Sequence, residues 1–119
     1  MNDQKTTLQE LKNRTHNVIS EREWDQFHNA KNLSMQIAAE AAELMEHFLW
    51  VDGNISSELM KSNGDEIEQE VADILTGVLC LVNYYDIDLA TIFEKKMIIN
   101  EKHYPIAKAK GVWTKYTKL

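Results

Sequence analysis

Four acidic residues occur as two pairs with the same spacing. Glu40 and Glu43 lie three positions apart, and so do Glu70 and Asp73. Residues at i and i+3 are neighbours on the surface of an α-helix, so each pair would place two carboxylates side by side. Carboxylate oxygens are hard ligands that suit Mg²⁺, Mn²⁺ or Ca²⁺. The spacing therefore predicts a cation site where two such helices pack. These four residues are called the carboxylate cluster below.

A solvated acidic face is the simpler interpretation of either pair alone, because glutamates at this spacing are common on surface helices. Each pair, however, borders an apolar stripe instead of lying opposite it. Packing of the two stripes would bring the pairs together at the rim of the core. Converging carboxylates repel one another unless a cation lies among them, which favours the metal site.

The helices that must position these residues follow from apolar side chains with a 3.6-residue period. We predict four helices, over about residues 7–20, 33–50, 65–85 and 88–104. The chain of 119 residues has one proline and four glycines, so it offers few breaks. Gly53 is the expected cap at the end of the second helix. Residues 21–29 are expected to form a loop or short turn, 55–64 a connection with room for one helical turn, and the C-terminal tail an extended segment.

The apolar face of the third predicted helix is wide. It spans about 160° at a 3.6-residue period and contains Ile67, Val71, Ile74, Leu75, Val78, Leu81, Val82 and Tyr85. Such a width indicates burial against two layers, either in a bundle or at a dimer interface. A chain of this length buries only roughly 65% of its unfolded surface, so self-association would help. The predicted fold is a single all-α domain over residues 1–119, a four-helix bundle-like subunit completed by oligomerisation.

Polar residues interrupt the apolar stripe of the fourth predicted helix. Lys96, Asn100 and Tyr104 recur every four residues, on the side of Leu89 and Phe93 that is expected to turn inward. Buried polar groups need partners, and phosphate oxygens are good candidates. A lysine that extends to solvent and an asparagine bonded at a helix end remain the alternative.

Aromatic residues flank the second predicted helix. Trp50 lies seven residues after Glu43, so a helix that reaches residue 50 places both on one face. There Trp50 would either stack on a nucleobase or pack against a neighbouring chain. Trp24, Phe27 and His28 form a cluster before the helix, for which core packing is the simpler interpretation.

Two further residues lie near the acidic pairs. Lys31 precedes the second predicted helix and adds a cation near the expected mouth of the site. Gly77 follows Asp73 by one turn, and its missing side chain is expected to leave room for a ligand.

Composition excludes several classes of protein. The formal net charge of −6 argues against a protein that coats nucleic acid. Cys80 is the only cysteine, which excludes an intrachain disulfide. The polar N-terminus does not resemble a signal peptide, and the most apolar run, residues 78–82, is too short to span a bilayer. We expect a cytoplasmic protein with no nucleic-acid polymer or membrane as partner.

Six segments follow one another along the chain: WDQFHNAKNL (24–33), EAAELMEHFLW (40–50), EVAD (70–73), DLATIFEKKMIIN (88–100), HYP (103–105) and KYTKL (115–119). In this order they resemble the MazG-like, all-α nucleoside triphosphate pyrophosphohydrolases, and most of all their dCTP pyrophosphatase branch. The resemblance covers about residues 8–119.

The resemblance implies a set of site residues. Mg²⁺, with Mn²⁺ as a substitute, would be held by Glu40, Glu43, Glu70 and Asp73. Phosphate or sugar contacts would come from Lys31, Lys96, Asn100 and Tyr104, and base contacts from Trp24, His28 and Trp50. The family forms homodimers or dimers of dimers, in agreement with the wide apolar face.

The implied reaction is attack of water on the α-phosphorus of a nucleoside triphosphate, with pyrophosphate leaving. Glu43 or Glu40 would accept the proton of the water, and Lys96 would neutralise charge that develops in the transition state. The expected substrate is a deoxynucleotide, with dCTP as the first candidate from the resemblance. The room expected at Gly77 would enlarge the pocket enough to admit a purine such as that of dATP. The expected role is removal of unwanted nucleotides from the cellular pool.

Two departures from the family pattern and two rival functions bear on this prediction. Ala39 stands where many members carry a further glutamate, and Gly77 where the dCTP branch often has a tyrosine. A di-iron carboxylate bundle would need Glu-x-x-His pairs, which this chain lacks. A non-enzymatic helical module for oligomerisation or interaction is the remaining alternative, and it predicts no metal dependence.

Overall fold

The computed structural model describes all 119 residues and contains helices but no β-strand. The α-helices are α1 (Leu8–Ser20), α2 (Ala30–Glu46), α3 (Ser56–Ser62), α4 (Gly64–Tyr84), α5 (Leu89–His103) and α6 (Ile106–Ala109), with 3₁₀ turns at Trp24–Phe27, Gly53–Ile55 and Tyr116–Lys118. The all-α class is thus confirmed, and the four predicted helices are the four long ones. The chain forms two compact units, Met1–Ile87 and Asp88–Leu119.

Side chains at the helix starts explain where three of the long helices begin. Thr7 and Glu10 form a capping box in which each side chain accepts from the backbone N–H of the other. Asn29 caps α2 by accepting from the N–H of Asn32 at 2.8 Å, and Asp88 caps α5. The start of α4 differs from the prediction, because this helix begins at Gly64 and Asp65 lies inside its first turn.

The second helix ends four residues earlier than predicted. After Glu46 the chain continues with i to i+3 hydrogen bonds, from the N–H of Phe48 to Met45 and from that of Leu49 to Glu46. The backbone then reverses at Trp50, which has a φ of 61°, while Gly53 opens the following 3₁₀ turn instead of capping the helix. The expectation of a glycine cap was wrong because Trp50 itself adopts the left-handed conformation that usually favours glycine.

Helices α1, α2 and α4 enclose the core of the first unit. The most extensive packing is between α2 and α4, followed by that between α1 and α4. Ile19, Leu33 and Cys80 form a buried cluster that takes one residue from each of the three helices. This packing fixes α2 beside α4, and with it the two acidic pairs.

Gly77 is the point of close approach between α2 and α4. A Cβ atom on Gly77 would lie 2.9 Å from Cγ1 of Ile37, a distance that real Cβ atoms do not adopt. The expectation that this glycine leaves room for a ligand was therefore wrong. The space of the missing side chain is filled by Ile37, so the glycine lets the two helices pack closely.

The apolar face of α4 is only partly covered within the chain. Ile67 and Val82 are buried, whereas Val71 is 51% and Leu75 43% exposed. Packing within the first unit thus leaves an apolar strip of α4 open to solvent. No single helix is both long and apolar enough to cross a membrane. Helices α4 and α5 have the length and composition of a membrane span only when they are counted as one bent pair.

In the second unit, the C-terminal segment returns to the end of α5. The ring of Tyr116 stacks on His103 with centroids 4.0 Å apart and meets Tyr104 edge-on at 5.8 Å. The extended tail that was expected is wrong, since α6 and a 3₁₀ turn allow this return. The face of α5 that was expected to turn inward is not buried, because Phe93 is exposed and α5 contains no buried residue.

Candidate metal and nucleotide site

Packing of α2 on α4 brings three carboxylates of the cluster together. One carboxylate oxygen from each of Glu40, Glu43 and Glu70 lies within 4.8 Å of the other two. Glu40 and Glu70 are half-buried and Glu43 is exposed. Metal–oxygen bonds are about 2.0–2.6 Å long for Mg²⁺ and Ca²⁺, so a single ion can be reached by oxygens at this separation.

Asp73, the fourth member of the cluster, is exposed and lies outside this trio. Its negative charge still acts on Glu40. Partial desolvation raises the pKa of Glu40, and the negative charges of Glu43, Asp73 and Glu70 raise it further. No lysine or arginine forms an ion pair with any of the four. A group of oxygen donors that repel one another and lack a protein cation fits a hard divalent metal ion.

His47 joins the cluster, and the sequence did not predict it. Its Nε2 lies 3.3 Å from Oε1 of Glu70, and the two side chains are 22% and 19% exposed. His47 does not lie three residues after a glutamate, which is the spacing typical of a di-iron site. His47 follows Glu43 by four residues, a spacing that also places two side chains on one helix face, and this signal could have found it.

An aromatic cavity opens beside the cluster. It has a volume of 560 Å³, within the range of about 300–1,000 Å³ that is typical of ligand pockets. Its walls are formed by Val18, Ile19, Trp24, Phe27, His28, Asn32, Leu33, Gln36, Asp73, Thr76 and Cys80. Asp73 lines this cavity, and its charge acts on Glu40 of the trio, so a ligand in the cavity would lie close to the candidate metal site.

The 3₁₀ turn before α2 holds the aromatic wall in place. The turn is entered through Glu23, whose φ is 56°. The side-chain amide of Asn32 donates to the carbonyl of Phe27 at 2.9 Å, which ties the turn to α2. Trp24 and Phe27 remain exposed, so core packing, the simpler interpretation of this cluster, does not describe them. Their exposed rings are available to a ligand.

Trp50 lies elsewhere and is 96% exposed. It lines a separate groove with Ala42, Met45, Glu46, Phe48 and Leu49, to which neither Glu43 nor Asp73 contributes. The predicted common face of Trp50 and Glu43 was wrong, because the helix ends at Glu46 and the chain reverses at Trp50.

The predicted phosphate contacts lie on two different helices. Lys31 lies in the first turn of α2, is exposed and does not line the aromatic cavity. Lys96 and Asn100 lie on α5 of the second unit, and Tyr104 ends that helix against Tyr116. Asn100 is half-buried and Lys96 exposed. Their role towards phosphate stays a prediction.

Comparisons with known proteins identify the family of this chain. The model of the MazG-like family matches residues 35–119. dCTP pyrophosphatase 1 of Homo sapiens and that of Bos taurus are each 30% identical to this chain over 115 residues, which cover 95% of the chain and 68% of theirs.

A solved structure gives the same result for the fold. The crystal structure of a pyrophosphatase from Archaeoglobus fulgidus superposes with a TM-score of 0.80 at 30% identity. The superposition covers 88% of this chain and 98% of the archaeal one. The resemblance seen in the sequence motifs is thereby confirmed. The chain belongs to the MazG-like family, and it is an enzyme of the nucleoside triphosphate pyrophosphatase class.

Proposed function

We propose that this enzyme uses Mg²⁺, or Mn²⁺ in its place, to hydrolyse a deoxynucleoside triphosphate to the monophosphate and pyrophosphate. The observation that carries the proposal is the position of Asp73, which belongs to both the carboxylate cluster and the aromatic cavity. A base in the cavity and a triphosphate at the cluster would occupy adjoining places. dCTP is the first candidate, because the relatives that are 30% identical to this chain are dCTP pyrophosphatases.

The chemistry assigned to the cluster follows from its charge and exposure. Glu40, Glu43, Glu70 and Asp73 would hold the metal, which would lower the pKa of the attacking water and bind phosphate oxygens. Glu43 is the exposed member of the trio, so water has access to its carboxylate. Glu43, or Glu40 beside it, would accept the proton as the water attacks the α-phosphorus.

The aromatic cavity would bind the base. Stacking on an aromatic ring stabilises a bound base by about 1–3 kcal/mol but discriminates little, since every base has a π-face. Discrimination needs hydrogen bonds to the base edge. The side-chain amide of Gln36 lines the cavity and has no hydrogen-bond partner within the chain, so it can bind the edge of a base. The enlargement by Gly77 that suggested dATP is absent, because Ile37 fills that space.

The remaining assignments complete the proposal. Lys31, Lys96, Asn100 and Tyr104 would contact phosphate or sugar, and Lys96 would offset charge in the transition state. The active form would be a homodimer or a dimer of dimers in the cytoplasm, where it would remove unwanted nucleotides. The exposed apolar strip of α4 at Val71 and Leu75 supports an oligomer.

The decisive experiment is turnover of the four common deoxynucleoside triphosphates with Mg²⁺ in ¹⁸O-labelled water. Attack on the α-phosphorus places the label in the monophosphate and leaves the pyrophosphate unlabelled. We expect this pattern, with the highest kcat/KM for dCTP, and no turnover in EDTA. Release of orthophosphate with a nucleoside diphosphate would contradict the reaction, and equal kcat/KM for all four bases would contradict the choice of dCTP.

A further inference from the structure

His47 makes the one hydrogen bond between a protein side chain and a member of the carboxylate cluster. Its Nε2 lies 3.3 Å from Oε1 of Glu70. Glu40, Glu43 and Asp73 have no such contact. An ionised carboxylate has only acceptor sites, so a hydrogen bond to ionised Glu70 requires the tautomer of His47 in which the N–H at Nε2 is the donor.

The place of His47 in the fold suits it to orient Glu70. It is the residue directly after α2, and its backbone is still right-handed, with φ of −59° and ψ of −26°. It therefore lies one turn beyond Glu43, while Glu70 comes from α4. Both side chains are mostly withdrawn from solvent, so few water molecules compete for the bond. The contact links the end of α2 to the part of α4 that supplies a carboxylate.

We propose that His47 is a positioning residue, which holds the carboxylate of Glu70 in the orientation in which it joins Glu40 and Glu43 around a divalent cation. The proposal rests on the metal site of the proposed function. A hydrogen bond to Oε1 fixes the rotation of the carboxylate and leaves Oε2 and the second lone pair of Oε1 for the ion. Groups that hydrogen-bond to metal ligands in this way typically change metal affinity by about 10–100-fold when they are removed.

The test measures Mn²⁺ binding without substrate, from the electron paramagnetic resonance signal of free Mn²⁺. The protein is first stripped with EDTA. His47→Leu removes the donor, whereas His47→Gln keeps an N–H at about the place of Nε2. His16→Leu makes the same chemical change on α1, at a histidine with no contact to the cluster. We expect the Kd of Mn²⁺ to rise about 10–100-fold in His47→Leu, to return towards wild type in His47→Gln and to stay unchanged in His16→Leu.

Activity gives a second readout that a general loss of structure would not reproduce. Turnover of His47→Leu should recover as Mg²⁺ is raised to saturation, since the lesion is in metal affinity. If His47→Leu does not fold, His47→Asn replaces it, because the shorter asparagine side chain does not reach Glu70 and its polar amide suits a partly exposed position. Wild-type affinity in the variant that lacks the donor would overturn the positioning role alone. If the wild type binds no Mn²⁺ and Glu43→Gln gives the same result, the metal site and this inference are overturned together.

Discussion

At the scale of single residues, the strongest feature is the mutual repulsion of the four carboxylates. Replacing Glu43 by glutamine removes one of the proposed metal ligands and one negative charge from the cluster. We expect kcat to fall by about 100-fold or more, the range over which positioned acid–base groups act, while the protein stays folded. Near wild-type turnover of Glu43→Gln at saturating Mg²⁺, in a continuous pyrophosphate assay, would contradict the assigned ligand set.

The raised pKa of Glu40 predicts a pH dependence of the metal-free protein. Desolvation and the neighbouring carboxylates favour its protonated form in the folded state. This contribution to stability is present at acid pH, below the ordinary pKa of a glutamate, and is lost as pH rises through the raised value. In EDTA, Glu40→Gln should therefore raise the urea midpoint at pH 7 but not at pH 4. Mg²⁺ should reduce the difference at pH 7, and equal midpoints at pH 7 without metal would contradict the repulsion.

Trp24 and Trp50 give a matched pair of variants, one inside the aromatic cavity and one outside it. Trp24 lines the cavity that contains Asp73, and Trp50 does not. Trp24→Ala should raise the KM for dCTP about 10-fold, in line with roughly 1–3 kcal/mol of stacking, with a smaller change in kcat because a ground-state contact is lost. Trp50→Ala should leave KM within about twofold. If steady-state kinetics show a larger increase in KM for Trp50→Ala than for Trp24→Ala, the base binds beside Trp50 instead.

Gln36 should influence which base is chosen. Gln36→Leu keeps the volume of the side chain and removes both hydrogen-bonding groups from the cavity wall. We expect kcat/KM for dCTP to fall about 10-fold, which corresponds to roughly 1.4 kcal/mol, and to change less for the other deoxynucleotides. A uniform change for all four would show that Gln36 does not read the base edge.

At the scale of elements, the contact of Gly77 with Ile37 sets the distance between α2 and α4. Ile37 lies one turn before Glu40, and Gly77 one turn after Asp73, so the helices approach closely next to the cluster. Gly77→Ala should cost about 1–3 kcal/mol through overpacking and should weaken Mn²⁺ binding without changing a ligand. Ile37→Ala should relieve the clash, so a double-mutant cycle from urea unfolding should show a favourable coupling. If the changes in the free energy of unfolding of the two single variants simply add in the double variant, the helices adapt without strain.

The helices themselves could be predicted because their apolar period is strong, whereas their ends and contacts could not. The two acidic pairs and the long helices follow from spacing alone. The end of α2 did not, because residues 47–50 include no glycine or proline to stop a helix, and the positive φ of 61° falls on Trp50, a residue type that rarely adopts it. The role of Gly77 was wrong for a related reason: a missing side chain indicates close packing or an open space, and only the position of Ile37 distinguishes the two.

At the scale of the whole molecule, the exposed strip of α4 predicts association. Val71 and Leu75 are exposed in the chain by itself, and contiguous apolar surface of this kind is typical of interfaces. We expect a sedimentation mass of two or four times 13.8 kDa at micromolar concentration. Val71→Asp should lower the mass, because an unpaired charge at an apolar interface is costly, and should keep the helical circular dichroism. A wild-type protein that sediments as one chain would contradict the oligomer.

The thiol of Cys80 can report on opening of the core and on binding in the aromatic cavity. It is the single cysteine of the chain, is 4% exposed, and forms part of both the core cluster and the wall of the aromatic cavity. Burial raises the pKa of its thiol, and the charge of Asp25 raises it further, so little reactive thiolate exists at neutral pH. Labelling by an aromatic disulfide should therefore require transient opening of the core. The labelling rate would then measure how often the core opens in the wild-type protein. A nucleotide bound in the cavity should slow the labelling, whereas one bound beside Trp50 should leave it unchanged.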